Sequence, residues 1–154
     1  MSVKRKKFNK YRVQIDDDGK RNRTYNGIIF DSLLEMKYYK FVVCPQIESG
    51  EITKCELQKS YQLQPSFKYN GKLIRSIEYV ADFVITYKNG HVIVVDTKGN
   101  PDNISLLKKK LFHFKFPEID YQWITYSKVD GGWCQYSDVK DARRKRKKEK
   151  RDME

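Results

Sequence analysis

A mixed α/β sandwich, helices flanking a mixed central β-sheet, is the fold this sequence predicts, and three observations predict it. The stretch from Leu73 to Thr97 is dense in β-branched and aromatic residues and is interrupted once, at Lys88-Asn89-Gly90, so it reads as a hairpin. Apolar residues at helical spacing precede it after Ser32 and follow it in NISLLKKKLFHFKF. An order of helix, strands, helix and strand packs helices onto a sheet.

The length of 154 residues suits one domain with a core and tails. Residues 1–22 are basic and polar, with an acidic turn at Asp16-Asp17-Asp18-Gly19, and predict a flexible arm with one short strand. In NGIIFDSLLEMKYYKFVVCP the Ser32-x-x-Glu35 spacing is that of a capping box, and the apolar pattern through Leu33, Met36 and Phe41 predicts a helix that Pro45 ends. Residues 52–58 and 61–67 predict short strands, Asn70-Gly71 a turn, and Leu73 to Tyr87 a strand leading through Lys88-Asn89-Gly90 into VIVVDTK. Ile104, Leu107, Leu111 and Phe114 define a lysine-rich helix stopped by Pro117. YQWITY reads as a strand and WCQY as an edge strand before a basic tail with the character of an exposed helix.

The formal charge of +12 is unevenly placed. Residues 1–12 carry six Lys or Arg and no acid, residues 140–154 carry nine against four acids, and the body between is nearly neutral. Basic arms of this kind read as nucleic-acid contacts, because each cation near a phosphate releases counterions; a solvated tail or a localisation signal is the plainer alternative. Three cysteines without C-x-x-C spacing and two histidines argue against a zinc site or a disulfide framework. No apolar run reaches the length of a membrane span and no signal-peptide core follows the basic start, so a cytosolic protein without a membrane partner is expected.

VIVVDTK carries the chemistry. Side chains alternate along a strand, so Asp96 and Lys98 share a face where the strand leaves the core. The loop decides which residue of the partner strand they meet. A two-residue Asn89-Gly90 loop sets Asp82 opposite Thr97, whereas a three-residue loop with Gly90 left-handed sets Asp82 opposite Asp96; the sequence suits the second. Opposed carboxylates repel unless a cation or a proton lies between them, and oxygen donors without His or Cys suit Mg²⁺ or Mn²⁺. The plainer reading is an Asp96–Lys98 ion pair at a strand end, and the sequence holds three other acid-x-Lys triplets; only this one ends a buried-strand pattern.

An Asp on one strand, a hairpin and then Asp-x-Lys on the next resembles the core of the PD-(D/E)XK nuclease superfamily. The ordered blocks NGIIFDSLLEMKYY, ELQKSYQLQP, IEYVADFVI and VVDTKG, with the lysine-rich helix, are similar to a small phage and prophage family associated with Holliday junction resolvases. The likeness runs from about Tyr25 to Tyr126. It implies a restriction-endonuclease-like core over residues 23–137, between a basic arm at 1–22 and a basic tail at 138–154. It also implies metal ligation by Asp82 and Asp96, catalysis by Lys98, and a further acid, Glu35, completing the site directly or through water. Glu35 has the competing reading of the capping box. Lys108 or Lys110 would contact the scissile strand, with a solvated helix face as the alternative, and Arg143, Arg144, Lys145 and Arg146 of the tail would track phosphates. Ala81 stands where the superfamily's name has proline and Asp96 where Glu is common. Gln58 and Gln64 fall in matching blocks without an assigned role.

The resemblance implies a Mg²⁺-dependent endodeoxyribonuclease acting as a homodimer on branched DNA in the cytosol of a bacterial host. Two alternatives stay open: a non-catalytic nucleic-acid-binding module, and a restriction, transposition or repair endonuclease acting on linear duplex. Tyr38, Tyr39 and Trp123 are read as core aromatics in preference to base-stacking groups.

Overall fold

The computed structural model describes residues 7–9 and 13–153. Most of the basic run 1–12, read as a phosphate-contacting arm, lies outside the described residues. Within the expected arm, Asp17–Asn22 form a helix, α1. Asp16 caps it by accepting from the Gly19 N–H at 2.9 Å, and Asp17 and Asp18 complement the dipole of its first turn, so the acidic stretch starts a helix instead of making a turn.

A small antiparallel ribbon, β1 (Thr24–Tyr25) and β2 (Ile28–Ile29), precedes α2 (Leu33–Tyr38). Ser32 caps α2 as its spacing predicts, accepting from the Glu35 N–H at 3.1 Å. The helix does not stop at Pro45. It passes through a π-helical segment, Tyr39–Val43, into α3 (Cys44–Glu48), where Pro45 falls in the first turn. Proline lacks the N–H and crowds the preceding turn, and the wider π turn ahead of it lets the chain continue.

β3 (Ile52–Gln64) is one strand where two were expected, and β4 (Phe67–Tyr69) and β5 (Lys72–Ile74) form a separate ribbon. After β6 (Ile77–Tyr87), β7 (Val92–Thr97), α4 (Asn103–Lys115), β8 (Asp120–Ser127) and β9 (Gly132–Gln135), the chain ends in α5 (Tyr136–Asp152). The five long strands form a mixed central sheet in the order β3-β6-β7-β8-β9, antiparallel except for β7 with β8, which are parallel and joined through α4. A mixed sheet flanked by helices is the α/β class the element order predicts.

Two apolar layers pack on this sheet. Phe30, Tyr38, Val43, Phe83, Ile85 and Val95 form one, and Leu63, Tyr79, Ala81, Val94, Phe112 and Trp123 the other. Tyr38 and Trp123 are buried and Tyr39 stacks near Phe83, so these aromatics do pack the core. Side chains of one parity should keep to one face of a strand. On β6, however, Phe83 and Ile85 join the first layer while Tyr79 and Ala81 join the second. The inversion falls at Asp82. Across from it on β3, between the pairs Leu57–Phe83 and Lys59–Ala81, is Gln58, whose φ of 53° is left-handed. The pairing sum is the same on both sides, so the strands turn over together without losing register.

The tail helix is tied to the body. Val139 is buried, Tyr136 meets Trp123 edge to face, and Arg146 makes a two-pronged ion pair with Asp130 at 2.6 and 3.2 Å. No helix among the described residues is long and apolar enough to cross a membrane.

A candidate carboxylate cleft

The hairpin between β6 and β7 has the three-residue loop. Gly90 N–H donates to Tyr87 O and Tyr87 N–H to His91 O, each at 2.9 Å, with Gly90 at φ 83°. The ladder pairs Phe83 with Val95 and Thr86 with Val92, which carried one step further sets Asp82 against Asp96. The ladder ends at that step, and Thr97 N–H and Oγ1 bond the Asp82 side chain instead, at 2.8 and 3.0 Å to Oδ2.

Asp96 is buried, and its Oδ2 meets Lys98 Nζ at 2.8 Å. Burial first, then the charge of Asp96, holds the Asp82 carboxyl well above the usual carboxylate range. Glu35 comes from α2 on the other side. Burial and the neighbouring Asp31 raise it to about 7, with a smaller push from Asp96. One of its oxygens accepts from Ser32 Oγ at 3.1 Å, while the other faces Gln58 Nε2 at 3.5 Å, a weak contact. Its two oxygens thus divide between the helix cap and the Gln58 side.

Asp82 and Asp96 border an open cleft of about 280 Å³, whose walls also include Asp31, Gln58, Tyr79, Lys98 and Lys108 but not the buried Glu35. The first turn of α4 closes one side, capped by Asp102, whose side chain accepts from Ser105 N–H at 2.8 Å. Lys108 therefore lies at the cleft, whereas Lys110 is exposed and not part of its wall. Arg143, Arg144 and Lys145 are exposed on α5, and Arg146 is engaged by Asp130. A larger concavity of about 910 Å³ runs among the α5 cations, such as Arg144, Lys148 and Arg151. It shares no residue with the carboxylate cleft and is walled by long side chains of one solvated helix, so the chemistry belongs to the smaller space.

Sequence reasoning did not reach three further residues. Gln58 stood in a marked block without a role, and its left-handed backbone has no signature in the sequence. Tyr79, 5% exposed, reads as one more core aromatic, yet its hydroxyl is buried at the cleft without a hydrogen-bond partner of ordinary geometry. Burial, then the charge of Asp96, pushes its titration far upward, so it stays a neutral O–H donor. Lys109 Nζ sits 4.3 Å from the centroid of the Trp123 ring, with Lys98 Nζ at 5.5 Å from the same ring. Burial and then the charge of Lys140 lower the Lys109 pKa.

The donor chemistry can be tested against a divalent cation. No group of three or more His, Cys, Asp or Glu side chains among the described residues stands ready as a complete ligand shell. Mg²⁺ does not need one, since it keeps several waters and is commonly held by one or two carboxylates. Asp82 and Asp96 supply two such groups on the wall of an open polar cleft with room for water. The residues present fit a water-rich Mg²⁺ or Mn²⁺ site that Asp82 and Asp96 would hold.

No curated protein and no solved structure matches the chain. One family model, protein of unknown function (DUF1064), matches residues 5–131, which include every wall of the cleft but not α5, and the chain belongs to that family.

Proposed function

We propose that the chain is a divalent-metal-dependent endodeoxyribonuclease of the PD-(D/E)XK type that cuts branched DNA as a Holliday junction resolvase. The observation that carries this reading is the apposition of Asp82 and Asp96 at the end of a buried strand, with Lys98 on Asp96 and an open polar cleft in front of them. Such a pair is costly in a ligand-free core and is relieved by a cation. A bound Mg²⁺ would polarise a phosphate and lower the pKa of a water. Asp82 and Asp96 would hold it, Lys98 would steady the water or the developing phosphate charge, and Lys108 would hold the strand. The exposed cations of α5 would track phosphates away from the cut. The junction substrate, the homodimer that paired cuts require, and a phage or prophage origin in a bacterial cytosol follow from the resemblance of the sequence blocks.

A second reading has its own observation. Thr97 satisfies one Asp82 oxygen, and Lys98 neutralises Asp96, so the acids have partners without a metal. On that reading the chain binds nucleic acid without cutting it. One experiment separates the two: a labelled four-way junction and a matched linear duplex, each with Mg²⁺ or with EDTA, and with Asp96→Ala beside the native chain. Paired, metal-dependent nicks at the junction that vanish in the variant support the resolvase. Equal cutting of the duplex moves the job to a restriction, transposition or repair type. Tight binding with no cutting in Mg²⁺ or Mn²⁺ leaves the binding module.

A further inference from the structure

Between β3 and β6 the chain projects as the β4–β5 ribbon, and residues 65–75 are all exposed. Asn70 and Gly71, at φ 48° and 73°, close it with the two-residue turn natural to twisted hairpins. Its side chains do not suit such exposure. Phe67, Tyr69, Leu73 and Ile74 are 46, 66, 65 and 40% exposed, and none joins either apolar layer. A lone two-stranded ribbon is marginal in water, so apolar side chains displayed on it point to a partner that covers them.

Charge selects the partner. From Leu57 to Ile77 there is no acid, while Lys68, Lys72 and Arg75 lie on or beside the ribbon and make no ion pair among the described residues. A second copy packed on it by a two-fold axis would set these cations against themselves. The ribbon also offers six strand residues, where a standard protein interface uses about 20 or more on each side. A phosphate chain matches the cations, and exposed rings and aliphatic side chains among cations suit bases that are not stacked in a duplex.

We infer that the β4–β5 ribbon is a wedge that binds DNA at unstacked bases, with Tyr69 and Leu73 against the bases and Lys68, Lys72 and Arg75 on flanking phosphates. This deepens the proposed function and rests on its nucleic-acid half. The same strand pair carries both ends of the arrangement. Ile77, at the root of the ribbon, is five residues from Asp82, at most about 17 Å of strand. Leu73, on the wedge itself, is nine residues from Asp82, at most about 31 Å, so the wedge engages the branch point while the carboxylate cleft faces a phosphate within about nine nucleotides, at 3.4 Å each.

The test uses the full chain in EDTA, so that binding is read without cutting. Fluorescein-labelled four-way junction carrying 2-aminopurine at the branch, and fully paired duplex of the same sequence, are titrated with the native chain, Tyr69→Ala/Leu73→Ala and Tyr69→Phe. The double variant is expected to bind the junction on the order of tenfold more weakly, to lose the 2-aminopurine response and to bind duplex as before; Tyr69→Phe keeps both. Leu73→Ser alone gives the same readout should the double variant fail to fold. Unchanged junction binding, or equal weakening on both DNAs, overturns the wedge. A change from dimer to monomer on sedimentation, with DNA binding intact, overturns it in favour of a second copy. A native chain that binds neither DNA removes the nucleic-acid half of the proposed function as well. A native chain that cuts the junction once Mg²⁺ replaces EDTA, beside a ribbon variant that bound it equally well, removes the wedge alone.

Discussion

Gln58 stands across the strand pair from Asp82 with its backbone in the left-handed region, and its amide reaches toward Glu35. A left-handed non-glycine residue costs about 1–2 kcal/mol, and such outliers gather at functional sites. Gln58→Gly is therefore expected to hold or raise stability by up to about 1 kcal/mol in urea denaturation. The same variant should cut about tenfold more slowly, as loss of a supporting group does. A Gly variant with native cleavage would make the strain purely architectural.

Asp82→Asn tests the opposed acids. The amide oxygen can still accept from Thr97 and the amide N–H can donate to Asp96, so the metal-free fold keeps both partners without needing a proton between two carboxyls. Its melting temperature in EDTA should equal or exceed that of the native chain, while cleavage in Mg²⁺ falls on the order of a hundredfold or more. A variant that melts lower and cuts normally would mean the acids serve the fold.

Tyr79→Phe removes a buried hydroxyl that faces the Tyr121 hydroxyl without a hydrogen bond of ordinary geometry. Deleting an unsatisfied polar group is neutral or stabilising, by up to about 1 kcal/mol. If the hydroxyl donates to a phosphate or a water in the cleft, cutting slows with no loss of stability. A clear loss of stability would show that the hydroxyl was satisfied within the fold.

Glu35 makes the metal-free protein unusual in its response to acid. Its pKa rises from 4.5 to about 7 on folding, so between those values the folded state binds more protons than the unfolded one. Stability then falls as pH rises through that window, by up to a few kcal/mol, where most carboxylates act the other way. Melting in EDTA at pH 5.5 and 7.5 should show the higher temperature at pH 5.5, and Glu35→Gln should shrink the difference, the raised Asp82 carboxyl supplying the remainder.

Asp130 and Arg146 give a further electrostatic test. Hydrogen bonds from Arg146, then from Ser127, hold Asp130 down to about 2. Its contribution to stability is thus present above the ordinary value of 3.8 and is lost as pH falls through about 2. Asp130→Asn should release Arg146 to phosphate and steepen the log–log salt dependence of DNA binding by about 0.9. An unchanged slope would keep Arg146 out of the DNA contact.

The hairpin was legible because Asn-Gly loops, alternation and β-branched runs are local signals, and its loop length sets the register that runs up to Phe83 and Val95, next to Asp82 and Asp96. The helix start at Ser32 was legible for the same reason. Pro45 misled because a π segment, set by packing of Tyr39 and Val43, has no residue code of its own. β3 reads as two strands in the sequence because its continuity through Lys59 and Ser60 comes from pairing with β6, a tertiary contact with no local code. Tyr79 and Lys109 were hidden because a ring or a lysine gives no hint of where its polar end will lie.

The inversion of β6 at Asp82 has a topological result. A residue at a crossing between two hydrophobic layers is claimed by neither, and Asp82 belongs to neither Phe83's layer nor Ala81's. A seam of this kind opens the middle of a sheet to solvent without an edge strand or a missing element. It makes a position where an acid is tolerated in an otherwise greasy strand, and it couples the tilt of everything beyond, the projecting ribbon included, to one pair of facing residues.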